Sequence, residues 1–231
     1  MASRNRGKKQ QKLRDFVTQP PTSDEREELF KHLNTGGSPI VRAIIGQSLL
    51  EAMLDELLRP RFRRGNQEVW ETLTSESGPL SGFRKKIELG YALNIYDKDI
   101  RDALARVGDI RNGFAHSKKP LKFSHDTVVR ELKRVPTFPT KKSLPYKMFS
   151  DVHEKADEGG SGPASAFVIL CYSIYLILQK RMIKRLESRT ARMKNRSDIG
   201  ALASILLNGP QAPTRGLLSP SWDNQIDGPK E

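Results

Sequence analysis

Asp97-Lys-Asp-Ile-Arg-Asp-Ala-Leu-Ala-Arg-Val-Gly-Asp-Ile-Arg-Asn-Gly-Phe-Ala-His116 is the stretch around which the rest of the chain is read. Ala103, Val107, Ile110 and Phe114 recur at i, i+4, i+7 and i+11, one apolar stripe at 3.6 residues per turn. Asp109, Asn112 and His116 fall at i, i+3 and i+7 on the other side, and Asp97 is the natural N-cap. Arg111 sits between the two faces, nearer the apolar one. A guanidinium in that place must meet an anion or reach water, because an unpaired buried charge is expensive. The pattern predicts a helix with one greasy side and a half-buried arginine.

The segments on either side carry similar signals. Thr22 to Glu25 fits a capping box, predicting a short helix over roughly 24–33 that stops at Gly36-Gly37. Ser38-Pro39 is an N-cap followed by proline at the first helical position, and predicts a long central helix over 40–58. Gln47, Glu51 and Asp55 form an acidic stripe on it that faces solvent or, alternatively, meets Arg111. Arg59-Pro60 ends this helix, and Arg61, Arg63 and Arg64 make a basic turn. A short helix around 68–73 carries Trp70. After the turn at Ser77-Gly78-Pro79, Leu80, Phe83, Ile87, Tyr91 and Leu93 to Ile95 belong to a further helix, with Arg84-Lys85-Lys86 beside its apolar face. Gly90 within it costs about 1 kcal/mol relative to alanine, which implies close packing against a neighbour.

Beyond His116, Ser117 to Pro120 end the helix. Ser124 is the expected N-cap for 126–134, prolines 136, 139 and 145 predict an irregular connector over 135–146, and 147–156 forms a short helix. Pro163 starts the last long helix, which reaches about residue 192; its first half is core and its second half too polar to bury. The uncharged run 159–179 has a continuous apolar portion shorter than the roughly 20 residues a bilayer span needs, so a buried helix is expected and no membrane. The expectation is an all-α fold: a single bundle domain of six to eight helices over 21–192. A disordered basic arm (1–20) and a disordered polar tail (193–231) flank it, and 199–207 is a candidate partner-binding helix.

Charge is segregated along the 231 residues. Residues 1–20 carry a net +5 and 180–196 a net +7, whereas 21–179 carry only +3 of the total +13. This argues against a domain whose whole surface is a nucleic-acid footprint. Two basic arms are left as candidate phosphate contacts: Arg4, Arg6, Lys8, Lys9, Lys12 and Arg14, then Arg189, Arg192, Lys194 and Arg196. Cys171 is the one cysteine, in apolar surroundings, which excludes an internal disulfide and a thiolate cage. His32, His125 and His153 show no ligand spacing, so no metal and no cofactor are expected. Phosphate-binding glycine loops and nucleophile elbows are absent. No apolar segment follows the N-terminal charges as in a signal peptide, and a reducing, cytoplasmic setting is expected.

Three blocks together carry a family resemblance: Ser38-Pro-Ile-Val-Arg through Leu57-Leu58; Gly78-Pro-Leu-Ser-Gly-Phe-Arg-Lys-Lys-Ile-Glu-Leu-Gly-Tyr-Ala-Leu-Asn-Ile95; and the 97–116 helix. Over roughly 35–180 their order and spacing resemble the mannitol operon repressors, a family of bacterial helical proteins (MtlR-like). The resemblance implies a regulator of transcription without a recognised helix-turn-helix, working through a protein partner. Arg111-Asn112 with His116 also resembles the R-x(4–6)-H motif of the HEPN superfamily, which includes metal-independent ribonucleases. On that alternative Arg111 would hold the scissile phosphate, His116 would move the proton, Asn112 would orient substrate, and a homodimer would bring two motifs together. Arg111 and His116 lie five residues apart, about 140° around a helix, and converge only if the helix end unwinds or a second protomer contributes.

Overall fold

The computed structural model describes residues 21–35, 37–62, 67–138 and 143–194. The arm over 1–20, Arg63, Arg64, Arg196 and the segment 199–207, the candidate partner-binding helix, lie outside them. Contacts divide the chain into two units, 1–184 and 185–231. All packing below concerns the first.

The described residues form eight α-helices and no strand. They are α1 (Ser23–Thr35), α2 (Pro39–Leu58), α3 (Gln67–Thr74), α4 (Phe83–Ala92), α5 (Lys98–His116), α6 (Asp126–Lys133), α7 (Leu144–Asp157) and α8 (Gly162–Lys194). A 3₁₀ turn, Arg59–Arg61, closes α2. The local signals explain most of the starts. Thr22 N–H donates to Glu25 Oε2 at 2.7 Å while Glu25 N–H donates to Thr22 Oγ1 at 3.3 Å, the two halves of a capping box. Ser38 Oγ accepts from Val41 N–H, and Asp97 Oδ1 accepts from Ile100 N–H at 3.2 Å.

Three expectations are corrected. The helix drawn from Leu80 to Ile95 is only Phe83–Ala92. The Gly78-Pro79 turn delays its start, and at its end Asn94 adopts φ 53°, a left-handed conformation that asparagine tolerates better than most residues. Leu80 and Ile95 are buried all the same, as loop residues. His125, and not Ser124, caps α6, its Nδ1 accepting from Thr127 N–H. Pro145 lies in the first turn of α7, where a missing N–H costs nothing, so the irregular connector is shorter than expected.

Helix α2 is the hub. It packs on α5, with α4 against both, and α1 lies along it. Helix α6 joins α5 to α7. The apolar stripe of α5 is interior: Ala103, Val107, Ile110 and Phe114 are each at most 4 % exposed. Helix α8 closes the core. A Cβ at Gly46 would stand 2.8 Å from both Cys171 Sγ and Phe167 Cε1, so the missing side chain is what lets α2 and α8 approach. Phe123 packs at a tilt against Phe167 (centroids 5.1 Å), and Phe30 meets Tyr175 edge-on (4.8 Å). Helix α8 is long and apolar enough to cross a bilayer by length and composition, but most of its apolar window is buried within the bundle. Burial also pushes the Cys171 thiol far above its ordinary pKa, an inert core group as expected.

A candidate binding cleft between α2, α4 and α5

Gln47 and Glu51 of α2, the Ser81-Gly82-Phe83-Arg84 start of α4 and the Ala105, Gly108, Asp109, Arg111 and Asn112 face of α5 surround a cleft of about 600 Å³. That volume lies within the range of ordinary small-molecule pockets. Its α5 wall is the side opposite the core stripe, and the missing side chain of Gly108 leaves room there for Phe83, whose Cδ1 a Cβ would meet at 3.3 Å. Its floor on the α4 side includes buried Ile87.

The carboxylates of the acidic stripe on α2 are engaged by Lys86, the last cation of Arg84-Lys85-Lys86. Lys86 occupies a position three after Phe83 and four before Gly90, on the buried side of α4, and is 5 % exposed. Its Nζ donates to Glu51 Oε1 at 2.9 Å and to Asp55 Oδ2 at 3.0 Å; Asp55 Oδ1 is nearer at 2.8 Å but poorly aligned as an acceptor. The cation that Glu51 and Asp55 meet is therefore Lys86, not Arg111. Burial opposes the ammonium, but Asp55 and Glu51 outweigh it and hold the Lys86 pKa above its ordinary value. Burial pushes the Asp55 carboxyl up, against the pull of Lys86.

Asp109, the other carboxylate of the cleft, is 3.3 Å from Arg106, which also binds Glu131 of α6 at 2.6 Å. Arg84 reaches Glu88 at 3.6 Å, with both side chains about half exposed. Arg111 is different. It is half-buried, its Nη1 donates to Asn112 Oδ1 at 3.2 Å, and among the described residues no carboxylate lies within ion-pair distance of it. The first N–H groups of α4 also stand open: Gly82 has no side chain to cap them, and a Cβ built there would meet nothing within 4 Å.

Of the residues assigned to the ribonuclease alternative, the cleft takes in Arg111 and Asn112. His116 is exposed, the last residue of α5, and not part of the lining. The helix stays α-helical through Gly113, so Arg111 and His116 remain about 140° apart around its axis. Arg189, Arg192 and Lys194 fall on the backbone of α8 beyond the residues whose side chains are described.

No family model matches the sequence, and no curated protein matches it. Solved structures do. The MtlR–HPr complex from Escherichia coli aligns at 18% identity and a TM-score of 0.48, covering 68% of this chain and 98% of that one. A possible transcriptional regulator, YggD from Shigella flexneri 2a, aligns at 16% identity and a TM-score of 0.50, covering 68% of this chain and 97% of that one. At such identity the likeness to the second shows a common all-helical fold.

Proposed function

We propose that the protein is a helical regulator that takes part in transcriptional control by binding a protein partner in the cytoplasm, and that it does so without catalysis. The observation that carries this reading is one continuous face. Ile40 and Ile44 of α2, each 38 % exposed, lie on the same side of the helix as Gln47 and Glu51, at i, i+4, i+7 and i+11, and run directly into the cleft. The cleft they reach contains two guanidiniums and two carboxylates already paired with Lys86 and Arg106, and no histidine lies among its lining residues. Such a face suits recognition better than proton transfer. Two further supports are the block resemblance to mannitol operon repressors and the common fold with a protein described as a possible transcriptional regulator. The basic arms would add a salt-sensitive, sequence-indifferent hold on nucleic acid.

The competing reading, RNA cleavage by Arg111 and His116, needs both groups on one phosphate. Within one chain α5 keeps them apart, so a homodimer would have to supply the histidine. Incubation of structured and single-stranded RNA with the purified wild-type chain and with His116→Ala separates the readings. The regulatory reading expects no metal-independent cleavage by either protein. Cleavage by the wild type that His116→Ala abolishes would overturn it.

A further inference from the structure

The cleft has a charge pattern of its own. Each carboxylate in its wall has a cationic partner, Lys86 for Glu51 and Arg106 for Asp109. Arg84 and Arg111 both line it, and Arg111 has no acid of its own among the described residues. A guanidinium half removed from water favours an anion that can accept two of its N–H bonds. The adjoining start of α4 adds donors at the positive end of a helix. The remaining lining is mixed. Gln47, Glu51 and Asn112 offer acceptors, and Phe83, Ile87 and Ala105 offer an apolar wall. A bare inorganic anion would leave most of the volume empty.

We propose that this cleft is the binding site for a small organic anion, with a phosphate or carboxylate held at Arg111 and the open start of α4. The rest of the molecule presents hydrogen-bond donors toward Glu51 and Gln47. The inference rests on the reading of this face as a recognition surface, and gives that surface an input: the partner-binding residues Ile40 and Ile44 share a helix face with the ligand-binding ones. Arg111 anchors the anionic group, Arg84 adds to its field, and Glu51, held in place by its hydrogen bond from Lys86, selects for hydroxyl or amine groups on the ligand.

Titration of the full chain with glycerol 3-phosphate, orthophosphate and acetate at constant ionic strength, followed by the amide resonances of Gly82, Gly108 and Asn112, tests this. Saturable shifts at those amides are expected with the phosphates, with acetate, or with both, and the pattern tells which anionic group is preferred. Arg111→Gln should weaken the binding about tenfold or more. Gly82→Asp places a carboxylate where the ligand anion belongs. Aspartate is a better N-cap than glycine and has open space there, so this variant should be at least as stable as the wild type and yet lose the binding. Lys147→Ala, an exposed lysine of α7 outside the lining, should change nothing. Shifts that do not saturate, or that survive both Arg111→Gln and Gly82→Asp, would overturn the proposal. A chain that binds none of the three probes but still controls transcripts in cells would sink the anion site alone. A chain that binds them and controls no transcript would sink the regulatory reading alone.

Discussion

Replacing Lys86 with methionine should destabilise the fold by about 3 kcal/mol near neutral pH, the usual cost of removing one partner from a buried ion pair. Methionine fills most of the lysine's volume, so lost packing is a small part of the effect. The loss comes from Glu51 and Asp55, both partly buried, which are left facing each other one helical turn apart on α2 without their common counter-ion. The effect has a definite pH dependence. Burial already holds the Asp55 carboxyl above its ordinary pKa in the presence of Lys86. In Lys86→Met the pull of the ammonium is gone, and that pKa must rise further. The variant's deficit is therefore present in full above the raised pKa and shrinks as the pH falls through it, since a neutral Asp55 no longer repels Glu51. In the wild type the sign on the alkaline side is also set. The Lys86 pKa is higher in the fold than in the unfolded chain, so its contribution is complete below the unfolded value and is lost as pH rises through the folded one. Urea denaturation of wild type and variant across the acid-to-alkaline range measures both slopes. A deficit below about 1 kcal/mol, or one that grows on acidification, would mean that the Lys86 pairs contribute little to the fold.

Gly90→Ala should also destabilise, although helix propensity favours alanine over glycine by about 1 kcal/mol. A Cβ at position 90 would stand 2.3 Å from Tyr96 Oη and 2.7 Å from its Cζ. Tyr96 cannot move aside cheaply. It is 1 % exposed, its hydroxyl donates to Ile87 O at 2.8 Å, and burial keeps the phenol well above its ordinary pKa. Overpacking costs of about 1–3 kcal/mol plus the strained hydrogen bond outweigh the propensity gain, leaving a net loss of roughly 2 kcal/mol. Tyr96→Phe in the same chain removes the closest atom. The double variant should lose less than the sum of the two single changes, a coupling that thermal or urea denaturation can measure.

These two sites show what the sequence made legible. Gly90 announced itself, because a glycine in mid-helix costs stability unless something needs the space, although which residue needed it depended on the turn at Asn94. The starts of α1, α2 and α5 were written in local chemistry: a capping box, Ser-Pro, and an aspartate before an apolar period. Lys86 was harder to see. In Arg84-Lys85-Lys86 three cations look alike, and only the register with Phe83, Ile87 and Gly90 puts the third on the buried side. A lysine in that register on an apolar stripe calls for partly buried carboxylates, and Glu51 and Asp55, four apart on the neighbouring helix, supply them. The cap of α6 could not be chosen locally, since Ser124 and His125 can both accept a hydrogen bond and the turn decides between them. The cleft itself was out of reach, because its walls come from three helices whose meeting depends on core packing. The place of Arg111 between two faces of α5 is legible in the sequence. Its surroundings, with every nearby acid already engaged, could be read only from the assembled bundle.

The most direct test of binding without catalysis is made in cells of the source organism. With the gene deleted, the transcripts that change are measured, and the deletion is complemented by wild type, His116→Ala or Arg111→Gln at equal protein levels. Restoration of those transcripts by His116→Ala and not by Arg111→Gln is the predicted result. Loss of restoration with His116→Ala would contradict it, whereas full restoration with Arg111→Gln would contradict the anion site alone.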